Sequence, residues 1–240
     1  MSTVCIVQAR MGSTRLPGKV LQPILGKPML WWVMHRLSRC RQTDQVVVAT
    51  TTSRLDDPLV ELCKQEHWPA FRGSEVDVLD RYHGAAKQFR ADHIVRVTSD
   101  CPLVDPTVTD RTVATFLSIA PAPDYVSNTL ERTYPRGLDT EVFSMQALVT
   151  AWEEDRSPWR EHVTPFLYRN PERFRLHGVT NPVDFSHYRW TVDTPEDLEL
   201  VRQVYSHFGH GGFAWQQVLE AYGQHSEWTE LNCNIEQKTE

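Results

Sequence analysis

The chain has 240 residues, 40% hydrophobic and 23% charged, enough to bury one substantial core or two small ones. Its longest unbroken apolar run, Met29 to Met34, falls far short of the roughly 18 to 20 residues that cross a bilayer. The formal net charge of −6 argues against general affinity for nucleic acid or an anionic membrane.

The first residues, Met-Ser-Thr-Val-Cys-Ile-Val, run straight into an apolar segment without the basic start and small-residue cleavage site of a secretory signal, so a cytoplasmic protein is expected. Apolar, β-branched runs at Thr3 to Ala9, Gln45 to Thr50 and His93 to Thr98 predict strands. Helical periodicity fills the intervals Pro28 to Cys40, Asp57 to His67 and Val76 to Arg90. Strands alternating with helices of this length imply βαβ units and a mostly parallel sheet covered on both faces. Pro106 to Ala120 predicts a further helix, with Asp105 as its N-cap.

After Pro121-Ala122-Pro123 the rhythm loosens. Strands are predicted at Leu138 to Phe143, Phe174 to Val179 and Tyr188 to Val192, and helices at Met145 to Glu154 and Arg160 to Tyr168. This reads as an elaborated second half packed on the same sheet. A helix over Pro195 to Phe208 is signalled by Thr194 as cap, Pro195 at its first position and two acidic residues in its first turn. Residues 1–226 read as one domain, and the polar sequence of 227–240 as a loosely ordered tail.

Five cysteines, Cys5, Cys40, Cys63, Cys101 and Cys233, form no Cys-x-x-Cys pair and point to reduced thiols rather than a disulfide framework or a zinc site. Charge is unevenly spread. From Met1 through Thr43 there is no Asp or Glu, but seven basic residues: Arg10, Arg15, Lys19, Lys27, Arg36, Arg39 and Arg41. A local positive field on an acidic protein suggests a small, multiply charged anion as ligand.

Three of those cations stand in the segment Gln8 to Lys19, which follows the first strand. Ligands sit at the carboxyl ends of strands in parallel α/β sheets. Gly12 and Gly18 permit close backbone approach, Ser13 and Thr14 offer hydroxyls and amides, and Arg10, Arg15 and Lys19 supply charge. A phosphate chain would satisfy all of these, whereas the alternative is a solvated basic turn. Neither a P-loop nor the dinucleotide Gly-x-Gly-x-x-Gly is present.

Ile-Val-Gln-Ala-Arg-Met-Gly-Ser-Thr-Arg-Leu-Pro-Gly-Lys-Val-Leu, followed by Gly26-Lys27-Pro28-Met29-Leu30, closely resembles the start of the cytidylyltransferases that activate acidic sugars. These include the CMP-KDO and CMP-sialic acid synthetases and especially the spore-coat polysaccharide nucleotidyltransferase-like branch. The resemblance implies a three-layer, Rossmann-like α/β nucleotidyltransferase fold and CTP as co-substrate. It implies that Arg15 and Lys19 grip the triphosphate, that Ala9 and Arg10 lie against the cytosine, and that Ser13 and Thr14 contact the nucleotide. Members often form homodimers.

Cytidylyl transfer needs Mg2+, an ion that takes a few carboxylate oxygens together with phosphate oxygens. Asp100, after the strand His93 to Thr98, and Asp193, in Val-Asp-Thr-Pro-Glu-Asp-Leu, match the two points where the family places metal-binding aspartates. Taken without the family, each reads equally well as a turn or cap residue. Arg72-Gly-Ser-Glu-Val-Asp-Val-Leu-Asp also resembles this branch, with Arg72 and Ser74 near base or ribose, and Asp77 and Asp80 as caps of the following helix.

Arg136-Gly-Leu-Asp-Thr-Glu-Val-Phe and Arg160-Glu-His-Val-Thr-Pro-Phe are the acceptor-side candidates. Arg136 or Arg160 could bind a carboxylate, Asp139 and Glu141 could take sugar hydroxyls, and Glu161 and His162 could orient either. For His162 a structural role is the alternative, and the second segment could instead serve a dimer contact. The expected activity is CMP transfer to a keto sugar acid for surface polysaccharide, with a phosphonate or phosphorylated metabolite as second choice. A nucleotide-sugar glycosyltransferase is disfavoured because Asp-x-Asp is absent, and a CTP sensor because it would not need a pair of metal-binding aspartates.

Overall fold

In the computed structural model, which describes residues 1–235, strand β1 (Thr3–Gln8) lies at the centre. Val4 and Ile6 pack on one side of the sheet and Cys5 and Val7 on the other. That two-sided burial is what an inner strand of a parallel sheet requires. The chain continues through a short antiparallel pair, β2 (Pro23–Ile24) and β3 (Lys27–Pro28), and helix α1 (Met29–Leu37) to β4 (Gln45–Thr51). Helix α2 (Asp57–Gln65), strand β5 (Ala70–Gly73), helix α3 (Val78–Gln88) and strand β6 (His93–Thr98) follow.

Helix α4 (Pro106–Ser118) opens on the Asp105 cap, whose carboxylate accepts from the Thr107 amide at 2.8 Å. The second half supplies β7 (Tyr125–Ser127), β8 (Glu141–Ser144), α5 (Met145–Glu154), α6 (Pro165–Tyr168) and β9 (Leu176–Gly178). It closes with α7 (Pro195–Phe208), α8 (Trp215–Tyr222) and α9 (Trp228–Asn232).

One seven-stranded sheet runs in the order β5-β4-β1-β6-β8-β7-β9, and β8 alone opposes its neighbours. The chain moves outward from β1 to β4 and β5, then crosses back to add β6 on the other side of β1. The strand order therefore reverses between β1 and β6, the point at which α/β sheets bind ligands. Helices α1, α2, α4, α7 and α8 cover one face and α3, α5 and α6 the other, giving three layers. Among the described residues no helix is long and apolar enough to cross a membrane.

Several elements depart from the sequence reading. Tyr188 to Val192 is not a strand; Arg189 alone bridges to Arg136, because this segment passes between loops rather than along a ladder. The strand expected from Leu138 begins only at Glu141, since Leu138 closes a turn onto the Pro135 carbonyl. The helix expected over Arg160 to Tyr168 is split into a 3-10 turn (Pro158–His162) and α6. Val163, in the left-handed region at φ 71°, breaks it, and Pro165 can only begin a new helix. Within the stretch expected to be loose, α9 seats Trp228 in the core at 2% exposure, its ring stacked 4.5 Å from that of His225. Residues 236–240 of that stretch lie outside the described residues. All five cysteines are free thiols, and burial pushes Cys40 up to about 12 and Cys63 to about 11.

Arg36 of α1, fully enclosed, ties this helix to the segments that lead into α4 and α8 on the same face of the sheet. It donates to the Val104 carbonyl at 2.6 Å, to Gly211 at 2.8 Å and to Phe213 at 3.1 Å, and lies 3.6 Å from the Asp105 carboxylate. Replacing it with Met strands those acceptors in the interior. Arg36→Met should therefore destabilise the fold by about 3–5 kcal/mol, measured as a lowered urea midpoint.

Candidate active site

Two loops meet at the reversal point between β1 and β6. The first, residues 9–18, is pinned at both ends. Ala9 donates to the Ala49 carbonyl at 3.1 Å, and Gly18 to Met11 at 3.1 Å. Gly18 sits at φ 69°, a left-handed conformation that glycine adopts without a Cβ penalty. The Met11 amide donates to Asp56 at 2.7 Å. Asp56 is 2% exposed and also accepts from the Thr50 and Thr51 hydroxyls, so the end of β4 fixes the loop. Sequence reasoning missed this anchor, which lies 45 residues away from Met11 and carries no motif. The loop leaves Arg10, Gly12 and Thr14 exposed and Ser13 half-buried.

Lys19 follows in a 3-10 turn (Lys19–Leu21). Its ammonium donates to Asp100 Oδ2 at 3.0 Å, to Asp193 Oδ1 at 2.9 Å and to the Val192 carbonyl at 2.8 Å. Burial alone would push Lys19 down, but the two carboxylates outweigh it and hold its pKa above the ordinary value. Asp100 shows the converse. Burial pushes it up, yet Lys19 and the Thr98 hydroxyl, 2.5 Å away, hold it below the usual carboxylate range. The lysine and Asp100 are both charged near neutrality.

Asp193 Oδ2 accepts from Arg15 and from Arg189, each at 2.9 Å. Arg189 also pairs with Asp197 at 2.8 Å, and Asp197, completely enclosed, accepts from the backbone amides of Asp193 and Thr194. Thr194 and Asp197 form the predicted start of α7 as a reciprocal capping box. The side chain of Asn232 in α9 donates to Asp197 and to the Arg189 carbonyl, both at 2.9 Å. Asp197 and Asn232 are positioning residues; the sequence reading took Asp197 only as an acidic residue of the first turn of α7 and did not single out Asn232.

Asp100 and Asp193 thus reach one nitrogen from opposite segments and offer oxygen around a single cation position. Among the described residues no group of three or more His, Cys, Asp or Glu could hold a metal. Two carboxylates completed by ligand phosphate oxygens are a donor set that suits a hard divalent ion.

The remaining predicted residues lie farther out. Arg72 braces β5 against the end of β4, donating to the Thr51 and Ser53 carbonyls at 2.8 Å and pairing with Asp57 at 2.7 Å. The Ser74 hydroxyl accepts from the Asp77 amide at 3.0 Å. Asp77 caps α3 and also binds Arg160 at 2.8 Å, and Arg160 donates further to the Trp152 and Asp155 carbonyls. Glu141, expected to take sugar hydroxyls, is instead enclosed. Its carboxylate accepts from the Tyr125 hydroxyl at 2.7 Å, the Thr164 hydroxyl at 2.6 Å and the Arg96 guanidinium. Asp139 is paired bidentately with Arg132 at 2.6 and 3.0 Å. His162 lies 3.3 Å from Glu161, and Arg136 lines a separate cavity beside Arg189.

Residues 4–225 match the family model described as Cytidylyltransferase. A solved cytidylyltransferase from Leptospira borgpetersenii serovar Hardjo-bovis is 34% identical with TM-score 0.92, covering the whole of both chains. The spore coat polysaccharide biosynthesis protein SpsF of Bacillus subtilis is 33% identical over 212 residues, 85% of this chain and 86% of that protein. A CMP:2-keto-3-deoxy-manno-octonic acid synthetase solved with CTP shares the fold at TM-score 0.66 and 22% identity, covering 86% of this chain and 99% of the other. By the family match along nearly its whole length and by this arrangement of charges at the reversal point, the chain belongs to the cytidylyltransferase family.

Proposed function

We propose that the protein transfers CMP from CTP to an acidic acceptor, first of all a keto sugar acid for surface polysaccharide, and releases pyrophosphate. The observation that carries this is the convergence of Arg15, Lys19, Asp100 and Asp193 in the crevice between β1 and β6. The relatives support the direction, one named for spore coat polysaccharide biosynthesis and one for a CMP–sugar acid synthetase bound to CTP.

In this reading the acceptor oxygen attacks the α-phosphorus of CTP in line; where that oxygen is a sugar hydroxyl, its O–H bond breaks and the proton passes to water. A new P–O bond forms while the bond to the β-phosphate oxygen breaks, and pyrophosphate leaves with that electron pair. Asp100 and Asp193 would hold a divalent cation such as Mg2+, which when bound neutralises and orients the phosphates. Arg15 and Lys19 stabilise the charge that develops on the leaving group. An ammonium has three donors, and all three of Lys19 are engaged. Triphosphate entry therefore exchanges at least one of these contacts for a phosphate oxygen.

The backbone of Ala9 and the loop residues Arg10, Gly12, Ser13 and Thr14 line the nucleotide, with Arg72 and Ser74 framing its base end. The same reading places the enzyme in the cytoplasm, where CTP is made, as a homodimer that sedimentation equilibrium would detect.

Pyrophosphate release should be seen with CTP and not with ATP, GTP or UTP, in the presence of Mg2+ and a panel of sugar acids and phosphonates. Failure of the protein to bind CTP in calorimetry overturns the proposal. Lys19→Ala and Asp100→Asn should each lower turnover by about a hundredfold or more while the far-ultraviolet circular dichroism stays native. A near wild-type rate in either variant would show that the reaction occurs elsewhere. Removing divalent cations with EDTA should abolish pyrophosphate release, and added Mg2+ should restore it.

A further inference from the structure

Of the acceptor-side arginines, Arg160 is bound to Asp77 and two carbonyls, and neighbouring Arg132 to Asp139. Arg136 differs from both. Among the described residues no acceptor bonds or pairs with its guanidinium, which remains charged at any ordinary pH. Its backbone is held firmly, the amide donating to the Tyr188 carbonyl at 3.0 Å and the carbonyl accepting from Trp190 at 2.8 Å. The next residue, Gly137, lies at φ 101°, where a Cβ would come within 2.7 Å of the Trp190 backbone. This close approach sets Arg136 directly beside Arg189.

Arg136 and Arg189 line a cavity of about 170 Å³ together with Ser186, Tyr188 and, at the end of α9, Asn232. No Asp or Glu is among the described residues that line it. Burial and the nearby positive charges of Arg132 and Arg189 hold the pKa of Arg136 below its ordinary value, against the opposing pull of Asp139, which is itself paired with Arg132. The volume is below that of a pocket for a whole drug-sized ligand and suits one head group. Arg189, which forms part of the wall, donates to the same Asp193 oxygen as Arg15. The cavity thus stands one residue from the candidate reaction centre.

We propose that this cavity is an oxyanion subsite, in which Arg136 grips a carboxylate or a phosphonate or phosphate group through paired N–H donors. Arg189 remains engaged with Asp193 and shapes the wall. That the oxyanion belongs to the acceptor rests on the function proposed above; that the cavity binds an oxyanion does not.

The full-length protein, without nucleotide, would be titrated with pyruvate and separately with methylphosphonate. The readout is the Arg136 Nε–H resonance in 15N NMR, identified as the side-chain signal missing from Arg136→Met, together with backbone amide shifts around Ser186 and Asn232. Saturable shifts with at least one probe are expected, and Arg136→Met should weaken that probe about tenfold to a hundredfold, the size of one charged hydrogen-bonded contact. CTP affinity should not change in the variant, and Arg136→Lys should recover part of the probe affinity. Response to pyruvate alone identifies a carboxylate acceptor, and response to methylphosphonate alone identifies a phosphonate or phosphate acceptor.

No response to either probe, or equal affinity in wild type and Arg136→Met, overturns the subsite. Loss of probe binding in Arg136→Met by a protein that does not bind CTP would uphold the subsite while removing the cytidylyl reading. CTP-dependent turnover whose acceptor KM is unchanged by Arg136→Met would uphold the cytidylyl reading and remove the acceptor from this subsite.

Discussion

The ammonium of Lys19 joins parts of the chain that are remote in sequence, reaching Asp100 across 81 residues and Asp193 across 174. Two carboxylates gathered in a partly desolvated crevice repel one another and drift toward protonation unless cations compensate them. Lys19, Arg15 and Arg189 provide those cations, and Asp197 balances Arg189 in turn. Because the last contact of Lys19 is to the Val192 carbonyl, the same group that sets the charge balance also fixes the backbone that presents Asp193.

The rest of the architecture serves this knot. The reversal of strand order between β1 and β6 opens the crevice. Asp56, in the 3-10 turn after β4, holds the first loop by its Met11 amide, and Asn232 and Asp197 hold the Asp193 turn by its backbone. Fixing dipoles and charges in advance is how a site stabilises charge in transfer chemistry without reorganising at the moment of reaction. The ordered helix at 228–232 therefore matters to the centre. It lines the Arg136 cavity and buttresses Asp197.

The opposite face of the sheet shows how a polar residue in a suggestive motif can serve packing. Glu141 and Arg96 lie side by side on neighbouring strands in a layer otherwise filled by Phe143, Tyr82 and Leu148. There Arg96 pairs with the enclosed Glu141 through one guanidinium nitrogen, and hydroxyls of Tyr125 and Thr164 complete the carboxylate. Nothing in Arg-Gly-Leu-Asp-Thr-Glu distinguishes a glutamate aimed at a ligand from one aimed at the core, since a one-residue change of register reverses the direction. Arg160 likewise carries the signs of a ligand residue in sequence and yet is engaged by the Asp77 cap of α3.

Local physics determined much of this protein from sequence alone. Two-sided apolar runs specified β1, β4 and β6, and caps with proline at the first turn specified α4 and α7, because those signals act within a few residues. The cationic loop after β1 was legible for the same reason, as a run of cations with no acidic residue near it in the chain. Tertiary structure decided the rest. Strands of three or four residues such as β5 and β7 are too short to show a period and form because neighbouring strands offer them a ladder. Which cation meets which carboxylate, and which arginine is left to face a cavity, depends on partners tens to hundreds of residues apart, whose attraction exists only once the sheet has brought them within a few ångströms.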